Sequence, residues 1–180
     1  MASELRVDKI IPTIGVPSGG GGGIIQVINT IKTDTFSTTA NMASANKATI
    51  TGLTASITPK FSTSKILIIM NLLVGASVDT TIAGTIERGS TPIGIHDARG
   101  NRTRNTFGCG ILASSGNWQT HSVSRILVDS PSTTNATTYS IKIGGNGAAT
   151  IYINREHRDS NNSTDCTVGS SSLILMEISA

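Results

Sequence analysis

The sequence has few aromatic and few charged side chains. Of its 180 residues, 3% are aromatic and 14% are charged, and the formal net charge is +3. The Lys and Arg residues are scattered along the chain, so they form no basic stripe that could follow a phosphate backbone. Aromatic side chains, on which unpaired bases stack, are too scarce to compensate. The sequence therefore predicts a protein that does not bind nucleic acid.

The motifs of common catalytic and metal sites are also missing. No Gly-x-Ser-x-Gly elbow is present, and the glycine run at 19–23 lacks the Gly-Lys-Ser/Thr ending of a phosphate-binding loop. His157 and Asp159 supply only two neighbouring metal donors. Cys109 and Cys166 fit no metal-ligand spacing, and we expect two reduced, buried thiols. We therefore expect no enzymatic activity, no cofactor and no bound metal.

Long apolar runs are absent as well. No stretch reaches the roughly 18 apolar residues that a membrane-spanning helix needs. Residues 1–6 do not combine a basic segment with an apolar one, as a secretion signal would. We therefore predict a protein that is made in the cytoplasm and does not insert into membranes.

The residues that are abundant favour β-structure. Ser and Thr make up about a quarter of the chain, and Thr, Val and Ile suit a pleated, half-buried surface. Clusters of Gly, Ser, Asn, Asp and Pro separate nine predicted strands. These are 24–32, 47–59, 65–74, 80–88, 106–112, 119–128, 138–143, 150–155 and 171–178. The apolar run at 65–74 predicts a strand buried on both faces. The pattern as a whole predicts an all-β fold, an antiparallel β-sandwich of the jelly-roll kind.

The glycine run divides the chain into an arm, a hinge and a body. Residues 1–18 form the predicted attachment arm, 19–23 the hinge and 24–180 the β-sandwich body. The hinge comprises Gly19, Gly20, Gly21, Gly22 and Gly23, and consecutive glycines hold no single conformation by themselves. The predicted strand of the arm, residues 5–12, contains the apolar side chains Leu5, Val7, Ile10 and Ile11, interspersed with charged ones. A strand beside a hinge has nothing of its own to pack on, so we expect it to dock onto another subunit or protein; the alternative is a frayed terminus.

One polar loop and the single tryptophan are the best candidates for surface contacts. Residues 95–104 bring His96, Arg99, Arg102 and Arg104 into one loop, and arginine is suited to recognising anions and polar partners. The alternative is an ordinary solvated loop. Trp118 follows a predicted turn, where it either anchors an interface or caps the core.

Several short stretches resemble structural proteins of tailed bacteriophages, especially those of marine and cyanobacterial phages. The stretches are 4–12 (ELRVDKIIP), 57–59 (ITP) with 64–67 (SKIL), 129–131 (DSP) leading to 137–139 (TTY), and 173–178 (LILMEI). The first is similar to the N-terminal segment of phage fibre and appendage proteins. The resemblance implies a virion protein, commonly a trimer, whose arm attaches to the particle while its β domain projects. Long fibres carry shafts and coiled coils, which this chain lacks.

Two interpretations of function follow from this resemblance. The first is a homotrimeric tail fibre or appendage subunit whose arm adds a strand to a tail or baseplate protein. A host-surface glycan is a candidate further partner. The second is a capsid decoration, or cement, protein whose trimers stabilise the head shell by binding the major capsid protein. A carbohydrate-binding β-sandwich module is a third alternative, although it would favour more aromatic residues.

Overall fold

Strands account for the regular structure in a computed structural model of the chain, which describes residues 23–43, 45–111, 119–161 and 164–179. Within these residues there are eleven strands. In chain order they are β1 (Ile24–Lys32), β2 (Phe36–Thr38), β3 (Ala48–Ile57), β4 (Lys65–Ala76), β5 (Thr80–Arg88), β6 (Thr91–Ile93), β7 (Phe107–Ile111), β8 (Thr120–Asp129), β9 (Thr137–Gly145), β10 (Ile151–Ile153) and β11 (Ser171–Ile178). Among the described residues, none belongs to a helix that could span a membrane.

The first sheet is built around β4. Strand β8 pairs with one edge of β4 along residues 66–75. Strands β11 and β10 share the other edge, at 65–71 and 74–76 respectively. Beyond them, β1 pairs with β11 and β2 pairs with β10. All these pairings are antiparallel. Because β11 and β10 share one position, and β1 and β2 share the next, the six strands form a sheet four strands wide, ending at β4 and β8.

The second sheet is built around β5 and β9. Strand β9 pairs with β3 on one edge and with β5 on the other. The free edge of β5 takes β7 at residues 80–84 and β6 at 86–88. This sheet is also antiparallel and four strands wide, in the order β3, β9, β5 and then β7 with β6.

The eight longest strands have the connectivity of a jelly roll. The first of them pairs with the last, β1 with β11, and the second pairs with the seventh, β3 with β9. The third pairs with the sixth, β4 with β8, and the fourth with the fifth, β5 with β7. Successive pairs alternate between the two sheets, as expected for a ribbon of antiparallel pairs wrapped into a sandwich. The predicted all-β, jelly-roll-like sandwich is therefore confirmed.

The core lies between the facing sides of the two sheets. Alternate residues of each strand point inward, so Ile66, Ile68 and Met70 of β4 are completely buried. Ile82 and Ile86 of β5 are equally buried on the opposite sheet. Burial of each such side chain contributes roughly 1.5–3 kcal/mol, which makes this inner layer the main source of stability.

The structure corrects the sequence-based strand assignments in two respects. The three-residue strands β2 and β6 were not predicted, because each is defined by its pairing with β10 or β5 and not by a local apolar pattern. The prediction that 65–74 is buried on both faces was wrong. The inner face is buried, whereas the outer face bears the half-buried Leu67 and Ile69 and the exposed Asn71. No further layer of the described chain covers this face of the sheet.

Candidate functional site

The predicted contact loop, residues 95–104, joins β6 to β7. Its four predicted contact residues, His96, Arg99, Arg102 and Arg104, are all exposed. All four line one small cleft of about 210 Å³. The structure therefore brings together the polar side chains that the sequence places in one loop.

Hydrogen bonds hold this loop at its base. The Thr106 amide donates to the carbonyl of Gly84 at 2.9 Å, and the Thr106 hydroxyl donates to the carbonyl of Ile93 at 2.7 Å. Within the loop, Arg104 Nε donates to the His96 carbonyl at 2.6 Å. Because both ends are tied to backbone groups, the cleft is part of the folded body.

A larger cleft of about 750 Å³ lies beside the same loop. His96 and Arg102 line it from the loop, Ala83 lines it from β5, and Arg125 contributes from β8. In the part of the chain that the structure describes, neither Arg102 nor Arg125 forms an ion pair. Two cationic side chains without a charged partner make this a basic cleft, suited to an anionic ligand. Sequence reasoning missed Arg125 because it lies on a strand far from the loop in the chain.

The other reactive side chains that the sequence analysis considered are His157 and the two cysteines. Across residues 23–43, 45–111, 119–161 and 164–179, no group of three or more His, Cys, Asp or Glu side chains could hold a metal ion. His157 Nδ1 lies 2.8 Å from the Tyr152 hydroxyl. Both cysteines are free, as expected, but they are half-buried and not buried. Cys109 lies on the edge strand β7, where core packing is incomplete, and burial raises the pKa of its thiol.

The outer face of the first sheet is the second notable surface, and it is apolar. Strand registry places its residues in rows that run across β1, β11, β4 and β8. The first row is Val27, Met176, Leu67 and Val128, and the second is Asn29, Ile174, Ile69 and Ile126. Seven of these eight side chains are apolar, and none carries a charge. An ordinary antiparallel sheet facing water alternates polar residues onto this side.

This apolar face is accessible. Val27 is 54% exposed, Ile126 is 63% exposed and Val128 is 53% exposed. The other four apolar side chains of the two rows are half-buried. With strands about 4.8 Å apart and rows about 7 Å apart, the face covers roughly 300 Å². This size is comparable to the largest apolar patch on an ordinary monomeric protein, and such patches are often functional.

Several predicted site residues lie outside the described residues. They are Leu5, Val7, Ile10 and Ile11 of the arm, Gly19 to Gly22 of the hinge, and Trp118. The last hinge residue, Gly23, is described, and its carbonyl accepts a hydrogen bond from the Ser179 amide at 3.0 Å. Gly23 therefore lies alongside the end of β11.

Comparisons with known proteins give only distant similarities. No protein-family model matches the chain, and no curated protein matches it. Among solved structures, the chain is similar to one from the Gx strain of infectious bursal disease virus, with 16% identity and a TM-score of 0.39 over 94% of this chain and 42% of that one. It is also similar to the VP2 subviral particle of infectious bursal disease virus, with 14% identity and a TM-score of 0.32 over 93% of this chain and 43% of that one. This chain thus spans less than half of either.

Proposed function

We propose that the protein is a non-enzymatic structural component of a bacteriophage particle, a homotrimeric tail fibre or appendage subunit. The observation that carries this proposal is the apolar outer face of the first sheet, formed by the two rows across β1, β11, β4 and β8. A face of this composition is stabilised when another surface covers it, because its side chains then leave water. Such a face suits a protein that works as part of an assembly.

A second copy of the chain is the partner that best fits the apolar face. The rows contain no charge, so packing two such faces together, or one against a neighbour around a threefold axis, buries no unpaired ion. The arm is predicted to form one extended strand, residues 5–12, whereas the apolar face spans four strands. A single extended strand is therefore too narrow to cover it, whereas a sheet of another subunit is not.

The arm is then free for attachment to the particle. Its resemblance to the N-terminal segments of phage fibre and appendage proteins supports this role, and strand addition would supply main-chain hydrogen bonds as the anchor. The basic loop 95–104 joins β6 to β7 at the edge of the second sheet, whereas the apolar face is the outer side of the first. Assembly through the first sheet would leave this loop exposed for contact with a host surface.

The proposal is tested by locating and counting the protein in purified particles of the phage that encodes it. Quantitative mass spectrometry gives copies per particle, and antibody labelling in electron micrographs gives the position. A small multiple of three or six copies at the tail is the expected result. Hundreds of copies on the head would instead make it a capsid decoration protein. Absence from the particle would overturn the structural role altogether.

A further inference from the structure

Asn146 and Gly147 follow β9 directly, in the turn that leads to β10. Both residues are exposed. Gly147 has a φ of +68°, a conformation that residues with a Cβ atom rarely adopt, and its Cβ position faces open space with no atom within 4 Å. The backbone nitrogen of Gly147 is therefore open to approach by the neighbouring Asn146 side chain.

Hydrogen bonds hold the backbone of Asn146 but leave the reactive groups of the pair free. The Asn146 amide donates to the Thr81 carbonyl at 3.0 Å and to the Thr80 hydroxyl at 3.2 Å. The Asn146 carbonyl accepts a hydrogen bond from the same hydroxyl at 3.0 Å. Within the described chain, neither the Asn146 side chain nor the Gly147 amide forms a hydrogen bond. A side-chain amide and the backbone nitrogen that follows it are thus both accessible to water and to each other.

We propose that Asn146 is a site of spontaneous deamidation in the folded protein. The Gly147 backbone nitrogen attacks Cγ of Asn146, so that an N–Cγ bond forms and the Cγ–Nδ2 bond breaks. Ammonia leaves with the proton that the Gly147 nitrogen gives up, and a succinimide ring remains. Water then adds to one of the two ring carbonyls and breaks its bond to nitrogen. Addition at Cγ gives aspartate, and addition at the former backbone carbonyl gives isoaspartate.

Isoaspartate would weaken the contact of this turn with β5. In that product the backbone runs through the side chain, so one more carbon atom separates Cα of residue 146 from the Gly147 nitrogen. The former Asn146 carbonyl becomes a carboxylate on a side branch and leaves the peptide that Thr80 holds. Because the turn is anchored to the first two residues of β5, we expect aged protein to unfold at a lower temperature than fresh protein.

The Thr80 hydroxyl should slow the reaction. Ring closure has to turn the Asn146–Gly147 peptide towards the Asn146 side chain, and the hydrogen bond from Thr80 to the Asn146 carbonyl opposes this rotation. Thr80→Val removes the bond while keeping a β-branched side chain that suits a strand. We expect Thr80→Val to deamidate faster than the wild type, and an unchanged rate would refute this restraint.

The test follows individual asparagines while the folded full chain ages in warm, mildly alkaline buffer. Tryptic digestion and mass spectrometry locate each deamidated residue, and enzymatic methylation detects isoaspartate. Asn154 lies in the same tryptic peptide, 143–155, and is an internal control. It is completely buried, and its Nδ2 donates to the carbonyls of Lys32 and Asp34 at 2.9 and 2.8 Å. Asn71 is the exposed control, because it precedes Leu72 instead of a glycine.

The expected result is that Asn146 reacts about tenfold faster or more than Asn71 and Asn154, because only Asn146 precedes a residue without a Cβ. Asn146→Gln should abolish the modified peptide, and its melting temperature should stay constant during ageing. Residue 146 is exposed, so this variant should fold. Reaction of Asn146 no faster than that of Asn71, or only after unfolding in urea, would overturn the proposal. Neither outcome bears on the position of the protein in a particle.

Discussion

The Tyr139 hydroxyl donates a 2.7 Å hydrogen bond to Asp129 Oδ2 and thereby joins the two sheets of the sandwich. Tyr139 belongs to β9 of the second sheet and Asp129 ends β8 of the first. The same carboxylate accepts two hydrogen bonds from Arg88 Nη1, at 2.8 and 2.9 Å, and Arg88 ends β5 of the second sheet. One carboxylate at the end of β8 is thus held by two strands from across the core.

Removing the Tyr139 hydroxyl should weaken this connection between sheets. Tyr139→Phe keeps the ring, which is completely buried, and leaves Asp129 with Arg88. We expect the free energy of unfolding to fall by about 1–2 kcal/mol, because a hydrogen bond to a charged acceptor is lost. Urea unfolding at neutral pH measures this change. Ser56→Ala, which removes an exposed 2.7 Å hydroxyl contact with Thr138, is the control and should cost less than about 0.5 kcal/mol. Equal losses for both variants would contradict the prediction.

Stability should fall at alkaline pH because of the same tyrosine. Burial, the hydrogen bond to Asp129 and the negative charge of Asp129 raise the pKa of Tyr139 well above its ordinary value of 10.0. Above pH 10 the unfolded chain releases this proton while the folded chain retains it, so its contribution to stability is complete below pH 10 and is lost as the pH rises. Urea unfolding from about pH 8 to pH 11 should show a steeper decline for the wild type than for Tyr139→Phe. Parallel curves would show that Tyr139 is not responsible.

Gly84 should not tolerate a side chain. A Cβ atom at this position of β5 would overlap the Phe107 ring and the backbone carbonyl of Lys142. The carbonyl belongs to the ladder between β5 and β9 and cannot move aside, so Gly84→Ala should cost about 1–3 kcal/mol. Gly110 on the adjacent strand β7 has nothing within 4 Å of its Cβ position and provides the control. Thermal unfolding compares the two variants, and a similar melting temperature for both would refute the assigned packing.

A charge at the β8 edge of the apolar face should dissociate the assembly. Ile126 is 63% exposed in the single chain, so Ile126→Glu should leave the fold intact while placing a carboxylate in the contact between copies. We expect light scattering at micromolar concentration to give three times the 18.6 kDa chain mass for the wild type and a single chain for Ile126→Glu.

The matched control for this substitution lies away from the apolar face. Val78, between β4 and β5, is 51% exposed, and Val78→Glu should leave the assembly unchanged. A wild-type mass of one chain would refute self-association through the first sheet. A trimer that persists in Ile126→Glu would place the contact on another surface.

The alternation of residues within strands could be predicted because it is local. The segments 24–32, 80–88 and 171–178 were predicted with the bounds of β1, β5 and β11. β-Branched residues and turn clusters determine where a strand begins and ends, and both are visible in the sequence. The candidate cleft was predicted only in part. His96, Arg99, Arg102 and Arg104 share one loop, whereas Arg125 and Lys47 reach the same region from distant parts of the chain.

By itself, the sequence determined that the protein is all-β, which residues form its main strands, and that loop 95–104 is polar and exposed. The tertiary structure alone decided which apolar residues of β4 and β11 are buried and which lie on the outer face. The local pattern of β4 predicts burial on both faces, but burial depends on whether another layer lies above the sheet, and strand sequences do not encode that. Pairing across the sheet aligned Leu67 with Met176 and Ile69 with Ile174 on the uncovered side. Because long-range pairing places these residues, only the folded chain reveals the face that we propose joins its copies.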